Sequence, residues 1–165
     1  MTEIIDYLRN LISPVTERFV NEQHTLFLVG GVVRDSFINQ KIKSPDLDLT
    51  TNATPDQIRA LVEPVADAVW LQGERFGTIG LRIGEIRMEI TTHRSESYIT
   101  SSRKPSVTFS LNLEDDLSRR DFTVNAMAFE LDTGNFFDPF NGRSDLENKI
   151  LRTPLSPSES FNDDP

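Results

Sequence analysis

The 165 residues contain no cysteine. Disulfide frameworks, thiol nucleophiles and cysteine zinc sites are thereby excluded. The two histidines, His24 and His93, stand far apart in the chain, so a histidine-built metal centre is not expected. No stretch approaches the roughly 18 consecutive apolar residues of a membrane-spanning helix. The opening MTEIIDYLRN is amphipathic and carries acids, unlike a signal peptide, and a cytoplasmic location with no membrane partner is expected. Positive charge is also short: 17 Lys plus Arg against 26 Asp plus Glu gives a formal net charge of −9. A protein that coats nucleic acid usually carries a basic stripe. An enzyme that gathers carboxylates for metal ions runs acidic instead. Two phosphate-binding signatures are missing as well. There is no G-x-G-x-x-G and no G-K-[ST], so neither the dinucleotide fingerprint nor the Walker loop is met.

What is present is the length for one domain with a proper core and a mixed pattern of elements. Ile4, Ile5, Leu8, Leu11 and Ile12 recur at helical spacing and predict a core-packing helix in the first twenty residues. Residues 25–29 (TLFLV) read as a buried strand ending at Gly30-Gly31, with a helix starting at about Val32. Leu47 and Leu49 alternate with Asp46 and Asp48 in a second strand. Thr54-Pro55-Asp56 is a helix start, with Thr as N-cap and Pro at the first helical position, and that helix covers roughly 55–63. Strands are predicted at 68–72, 78–83 and 86–92, the last two as a hairpin around Gly84-Glu85. Trp70, in an apolar run, is read as core. Residues 95–106 are polar without an apolar period and read as a mobile loop. Helical segments at 111–120 and 123–127, a strand at 128–131, a strand end or turn at 136–140, a short helix at 143–148 and an extended piece at 150–152 follow. Partly consecutive strands among helices indicate an α+β domain over 1–152. Residues 153–165, rich in proline and serine, read as linker.

Asp46-Leu47-Asp48 is the sharpest chemical feature. On a strand, residues i and i+2 share a face, so the two carboxylates converge while Leu47 and Leu49 enter the core. Two like charges held side by side are costly without a cation. Hard ions such as Mg²⁺ favour carboxylate oxygens and retain some water. The pair therefore reads as a magnesium site for phosphoryl chemistry, or as a solvated acidic strand face. Gly30-Gly31-Val32-Val33-Arg34-Asp35 follows a buried strand. Backbone N–H groups at such a turn can cradle phosphate, with Arg34 as a forked donor; a simple tight turn also needs the glycines. Glu89 shares a strand face with Arg87 and Thr91, and becomes a third carboxylate if its strand lies beside the D-x-D strand. Arg119-Arg120-Asp121, followed by Asn125, can hold a triphosphate and a ribose, or can be a helix end with surface ion pairs. His24 is read as a surface residue, and His93 as structural or loop-associated.

The order of these features is more specific than any one of them. Gly30-Gly31-Val32-Val33-Arg34-Asp35 precedes Asp46-Leu47-Asp48-Leu49-Thr50-Thr51-Asn52-Ala53-Thr54-Pro55. Arg75-Phe76-Gly77-Thr78 and Met88-Glu89-Ile90-Thr91-Thr92-His93-Arg94-Ser95-Glu96 come next. Leu113-Glu114-Asp115-Asp116-Leu117 then runs into Arg119-Arg120-Asp121-Phe122-Thr123-Val124-Asn125-Ala126, and Phe137-Asp138-Pro139-Phe140-Asn141-Gly142 closes the series. This succession resembles the tRNA nucleotidyltransferase and bacterial poly(A) polymerase family over about residues 26–165.

The resemblance implies a nucleotidyltransferase head of the DNA polymerase beta superfamily, with a mixed, mostly antiparallel sheet flanked by helices. It implies addition of C and/or A nucleotides from CTP and ATP to the 3′ end of tRNA, with release of pyrophosphate. A poly(A) polymerase shares the same head, and a non-catalytic nucleotide- or metal-binding module is the reading of a different class. By motif match Asp46 and Asp48 are Mg²⁺ ligands, Gly31, Arg34 and Arg120 contact the nucleotide, and Asp121 and Asn125 lie in the motif linked to the sugar. Gly30, Arg119 and Glu89 complete the candidate set. The 95–106 loop resembles the family's flexible loop, slightly short and with Ser102 where an acid usually precedes the basic pair. The base-selecting neck of the family is expected beyond the linker, outside this sequence.

Overall fold

The computed structural model describes residues 2–38, 46–71, 76–95 and 108–155. In chain order the elements are α1 (Thr2–Leu11), α2 (Ser13–Asn21), β1 (Leu26–Val29), α3 (Gly31–Phe37), β2 (Asp46–Thr51), α4 (Pro55–Val62), β3 (Ala68–Trp70), β4 (Thr78–Ile83), β5 (Ile86–Thr92), β6 (Arg94–Ser95), β7 (Thr108–Phe109), α5 (Leu113–Ser118), a 3₁₀ turn (Thr123–Asn125), β8 (Ala128–Glu130), β9 (Phe136–Phe137) and α6 (Gly142–Glu147). The expected loop at 95–106, apart from Ser95, lies outside the described residues, as do Arg75 and the part of the expected linker from 156 onward.

Seven strands form one sheet in the order β3-β4-β5-β2-β1-β8-β9. The β2–β5 pair is parallel and the other pairs are antiparallel. This is the mixed, mostly antiparallel α+β sheet expected. Strands β6 and β7 make a separate antiparallel pair.

The two faces of the sheet differ in what covers them. Leu28, Leu47, Leu49, Ile79, Leu81, Met88 and Ile90 form the large buried core with Ile5, Leu8, Val15 and Phe19 of the first two helices and Ile58 and Val62 of α4. A smaller cluster, Phe27, Val29, Leu117, Ala126 and Ala128, covers part of the opposite face. Asp46 and Asp48 alternate with Leu47 and Leu49 and so open onto that second face, both exposed.

Local chemistry explains most boundaries. Thr54 caps α4 reciprocally: its Oγ1 accepts from Gln57 N–H at 3.4 Å, and Gln57 Oε1 accepts from Thr54 N–H at 2.9 Å, a capping box. The single N-terminal helix expected is in fact two. Pro14 lies in the first turn of α2 and has no N–H to continue the ladder of α1. The chain restarts instead, with Val15 and Thr16 N–H both donating to Ile12 C=O at 3.0 and 3.1 Å. The expected core tryptophan is also corrected. Trp70 is half-buried on edge strand β3, opposite Gly80 in the β3–β4 register. A Cβ at Gly80 would come within 1.9 Å of the Trp70 indole nitrogen, so glycine there makes room for the indole on the sheet surface. His24 is half-buried and pairs with Asn52 Oδ1 at 3.3 Å.

Candidate active site

The site is built where β1 ends against β2. Gly30 has φ +74°, a conformation glycine adopts without steric cost. A Cβ on Gly30 would lie 3.3 Å from Asp48 Oδ2 and 3.5 Å from Arg120 Nη1. The turn therefore packs bare backbone between an acid of β2 and an arginine that follows α5.

Asp48 is opposite Glu89 in the parallel register of β2 and β5, and Asp46 is opposite Arg87. Partners in register point to the same face, so Glu89, exposed like Asp48, stands on the carboxylate face as its alternation suggested. The Asp48 carboxyl is raised above the ordinary carboxylate pKa. Burial is the largest cause, Arg120 pulls it back down, and Asp46 adds to the rise. Although its side chain opens to solvent, the protein around Asp48 is dense enough to penalise the charge. Among the described residues no group of three or more His, Cys, Asp and Glu converges tightly enough to hold a metal on its own. Two exposed carboxylates with open coordination sides nonetheless match Mg²⁺, which takes one or two carboxylates and completes its shell from water and substrate phosphate.

A second cluster lies beside Gly31. Arg34 Nη1 donates to Asn125 Oδ1 at 2.9 Å, and Nε and Nη2 reach Asp35 Oδ1 at 2.9 and 2.8 Å. Asn125 Nδ2 donates to both Asp121 oxygens at 3.0 and 3.3 Å. Asp35, Arg34, Asn125 and Asp121 thus form one polar chain from α3 to the 3₁₀ turn. The segment carrying Asp121 and Asn125 is pinned from behind by α6. Gly142 packs so closely that a Cβ would fall 2.1 Å from Thr123 C=O, and Thr123 Oγ1 donates to buried Asp145 Oδ2 at 2.7 Å.

Of the sequence-derived candidates, Gly30, Asp48 and Arg120 meet at one point, with Asp46 and Glu89 on the same face. Gly31, Arg34, Asp121 and Asn125 form the adjoining cluster. Arg119 caps the C-terminus of α5 and is also engaged with a partner.

Sequence reasoning assigned no site role to Asp116. It is 6% exposed, and its Oδ2 accepts from Arg120 Nη2 at 3.3 Å. The available signal was the acid four residues before the arginine, at the end of a helix-like run. His93 proves structural. It is 1% exposed, its Nδ1 bonds Thr50 Oγ1 at 2.8 Å, and burial lowers its pKa to about 4. Thr50 Oγ1 also donates to Thr91 C=O at 3.2 Å, so its hydroxyl oxygen accepts from a protonated Nδ1.

Known proteins resemble this chain in sequence and fold. The family model of the Poly A polymerase head domain matches residues 26–152. The chain is 39% identical over 152 residues to the CCA-adding enzyme of Bacillus subtilis and 40% identical over 152 residues to that of Staphylococcus epidermidis, covering 92% of this chain and 36% of each relative. The structure of the Bacillus stearothermophilus CCA-adding enzyme in complex with CTP superposes with a TM-score of 0.77 at 31% identity, over 91% of this chain and 34% of that one. The Thermotoga maritima CCA-adding enzyme complexed with tRNA gives 0.74 at 28% identity, over 94% and 34%. This chain spans about a third of the length of the curated relatives it matches. A family match over residues 26–152, most of the chain, assigns the chain to the Poly A polymerase head domain family.

Proposed function

We propose that this chain is the catalytic head of an enzyme that adds C and A nucleotides to the 3′ end of tRNA, drawing on CTP and ATP and releasing pyrophosphate. The observation that carries the reading is the meeting of Asp48, the bare Gly30 turn and Arg120 within a few ångströms on the open sheet face. The relatives similar to this chain are named CCA-adding enzymes, one in complex with CTP and another with tRNA. The cytoplasm, where tRNA and nucleoside triphosphates meet, is the compartment this reaction implies.

In this reading Asp46 and Asp48 hold Mg²⁺, and Glu89 adds negative charge to the same face. Bound there, Mg²⁺ supplies the charge that activates an attacking hydroxyl and neutralises a leaving pyrophosphate. Arg34, Arg119 and Arg120 bind the triphosphate with the backbone of Gly30-Gly31, and Asp121 and Asn125 orient the ribose. These contacts align the α-phosphorus with the RNA 3′-hydroxyl for in-line attack. Little covalent work falls to the protein, so positioning and charge dominate.

The test is to incubate the full-length enzyme that carries this head with Mg²⁺, tRNA lacking its 3′-terminal nucleotides, and each nucleoside triphosphate in turn. Incorporation of C followed by A is expected. Adenylate-only tails would make it a poly(A) polymerase, and nucleotide binding without incorporation would make it a non-catalytic module.

A further inference from the structure

We propose that Asp116 is a positioning residue that holds the Arg120 guanidinium away from Asp48, keeping the guanidinium open to phosphate and the carboxylate open to a cation. The inference rests on the reading of Arg120 as a phosphate contact.

Three observations carry it. First, Asp116 is buried, with only 6% of its side chain exposed, and both of its oxygens are engaged. Oδ2 accepts from Arg120 Nη2 at 3.3 Å, and Oδ1 accepts from the backbone N–H of Arg94 at 3.2 Å. The second bond ties the carboxylate to β6, so it is anchored from two elements. Second, Arg120 Nη1 and Asp48 Oδ2 both approach the point where a Gly30 Cβ would sit, at 3.5 and 3.3 Å. Asp116, not Asp48, is nevertheless the acid in ion-pair contact with Arg120. Third, Arg120 Nε is buried without a hydrogen-bond partner. Protein groups therefore do not fully satisfy the guanidinium, whose side chain keeps 24% of its surface exposed.

Opposite charges this close in a partly buried site attract more strongly than they would in bulk water. A guanidinium released from Asp116 is drawn onto Asp48, and a forked arginine–carboxylate pair engages both groups. That closure would block the phosphate donor and the cation ligand together. Asp116 competes for the same guanidinium from one helical turn earlier, with its position set by the Arg94 backbone.

The test is a double-mutant cycle on the full chain, read by calorimetric titration with inorganic tripolyphosphate in EDTA. The single substitutions are Asp116→Asn and Asp48→Asn. In the wild type, removing the Asp48 charge changes affinity only through the lost repulsion of the anion. With Asp116→Asn, the same Asp48→Asn change also frees a captured Arg120. Its gain is therefore expected to be about tenfold larger in that background, a coupling of about 1.4 kcal/mol. An equal gain in both backgrounds, or no tripolyphosphate binding by the wild type, overturns the inference. If Asp116→Asn does not fold, Asp116→Glu supplies the second arm. It keeps the charge on Arg120, so its cycle with Asp48→Asn is expected to be additive within about threefold, and coupling there overturns the inference. The probe has no base and the titration no metal. Failure of nucleotide transfer therefore leaves this test readable, and additivity here leaves the transfer reading standing.

Discussion

Arg34 donates to Asn125 across 91 positions of sequence, at 2.9 Å. The bond joins the glycine turn to the Arg-Arg-Asp run and makes one cluster of two motifs. Arg34 also spans Asp35 with two nitrogens, so its planar fork is used on two partners at once.

Arg34→Lys is therefore expected to weaken nucleotide binding although the charge is kept. A lysine has no fork to serve Asn125, Asp35 and a phosphate together. The apparent KM for nucleotide should rise about tenfold or more, with a smaller change in kcat. Steady-state kinetics check this, and unchanged parameters would make Arg34 a structural turn residue.

Asp48→Asn is expected to cut transfer to below about a tenth of wild type, a barrier cost above roughly 1.4 kcal/mol. Stability should move the other way. The folded chain holds the Asp48 pKa above its ordinary value of 3.8, so the charged carboxylate costs stability. That cost is absent below the unfolded pKa and grows as pH rises through the unfolded and then the folded pKa. In metal-free buffer the variant should melt higher than wild type at about pH 7 and together with it at about pH 3. Scanning calorimetry at the two pH values reads the difference.

His93 should give the molecule an acid-sensitive step. Its folded pKa of about 4 lies below the ordinary 6.5, so the unfolded chain takes up a proton before the folded one. The neutral imidazole's contribution is fully present above about pH 6.5 and is lost as pH falls toward 4, to a total of about 3 kcal/mol. His93→Gln should be less stable at neutral pH and flatter across that window. Urea midpoints between pH 4 and 7 follow the slope, and an unchanged slope would remove His93 as its source.

Gly142→Ala tests the support behind the site. The added methyl meets the Thr123 carbonyl at 2.1 Å, a backbone atom that yields only if the 3₁₀ turn shifts. Overpacking of this kind costs about 1–3 kcal/mol. Because the same turn carries Asn125, nucleotide affinity should fall although residue 142 is outside the proposed contacts. A denaturant midpoint together with a CTP titration separates the two effects, and wild-type values in both would show that the turn adapts freely.

The sequence by itself determined what local chemistry controls. Period-two alternation put Asp46 and Asp48 on one face and Leu47 and Leu49 on the other, because side-chain direction on a strand follows from the backbone alone. Thr54-Pro55-Asp56 declared a helix start because an N-cap hydroxyl and a first-position proline act through the adjacent backbone alone. The tertiary structure decided the rest. Asp48 faces Glu89 only because β2 pairs in parallel with β5, a partner and register chosen by packing Leu47, Leu49, Met88 and Ile90 into the same core. The links from Arg34 to Asn125 and from the Arg94 backbone to Asp116 join elements far apart in the chain. Such contacts form only after loops close and faces pack, and no local pattern of residues encodes which distant donor will meet which acceptor.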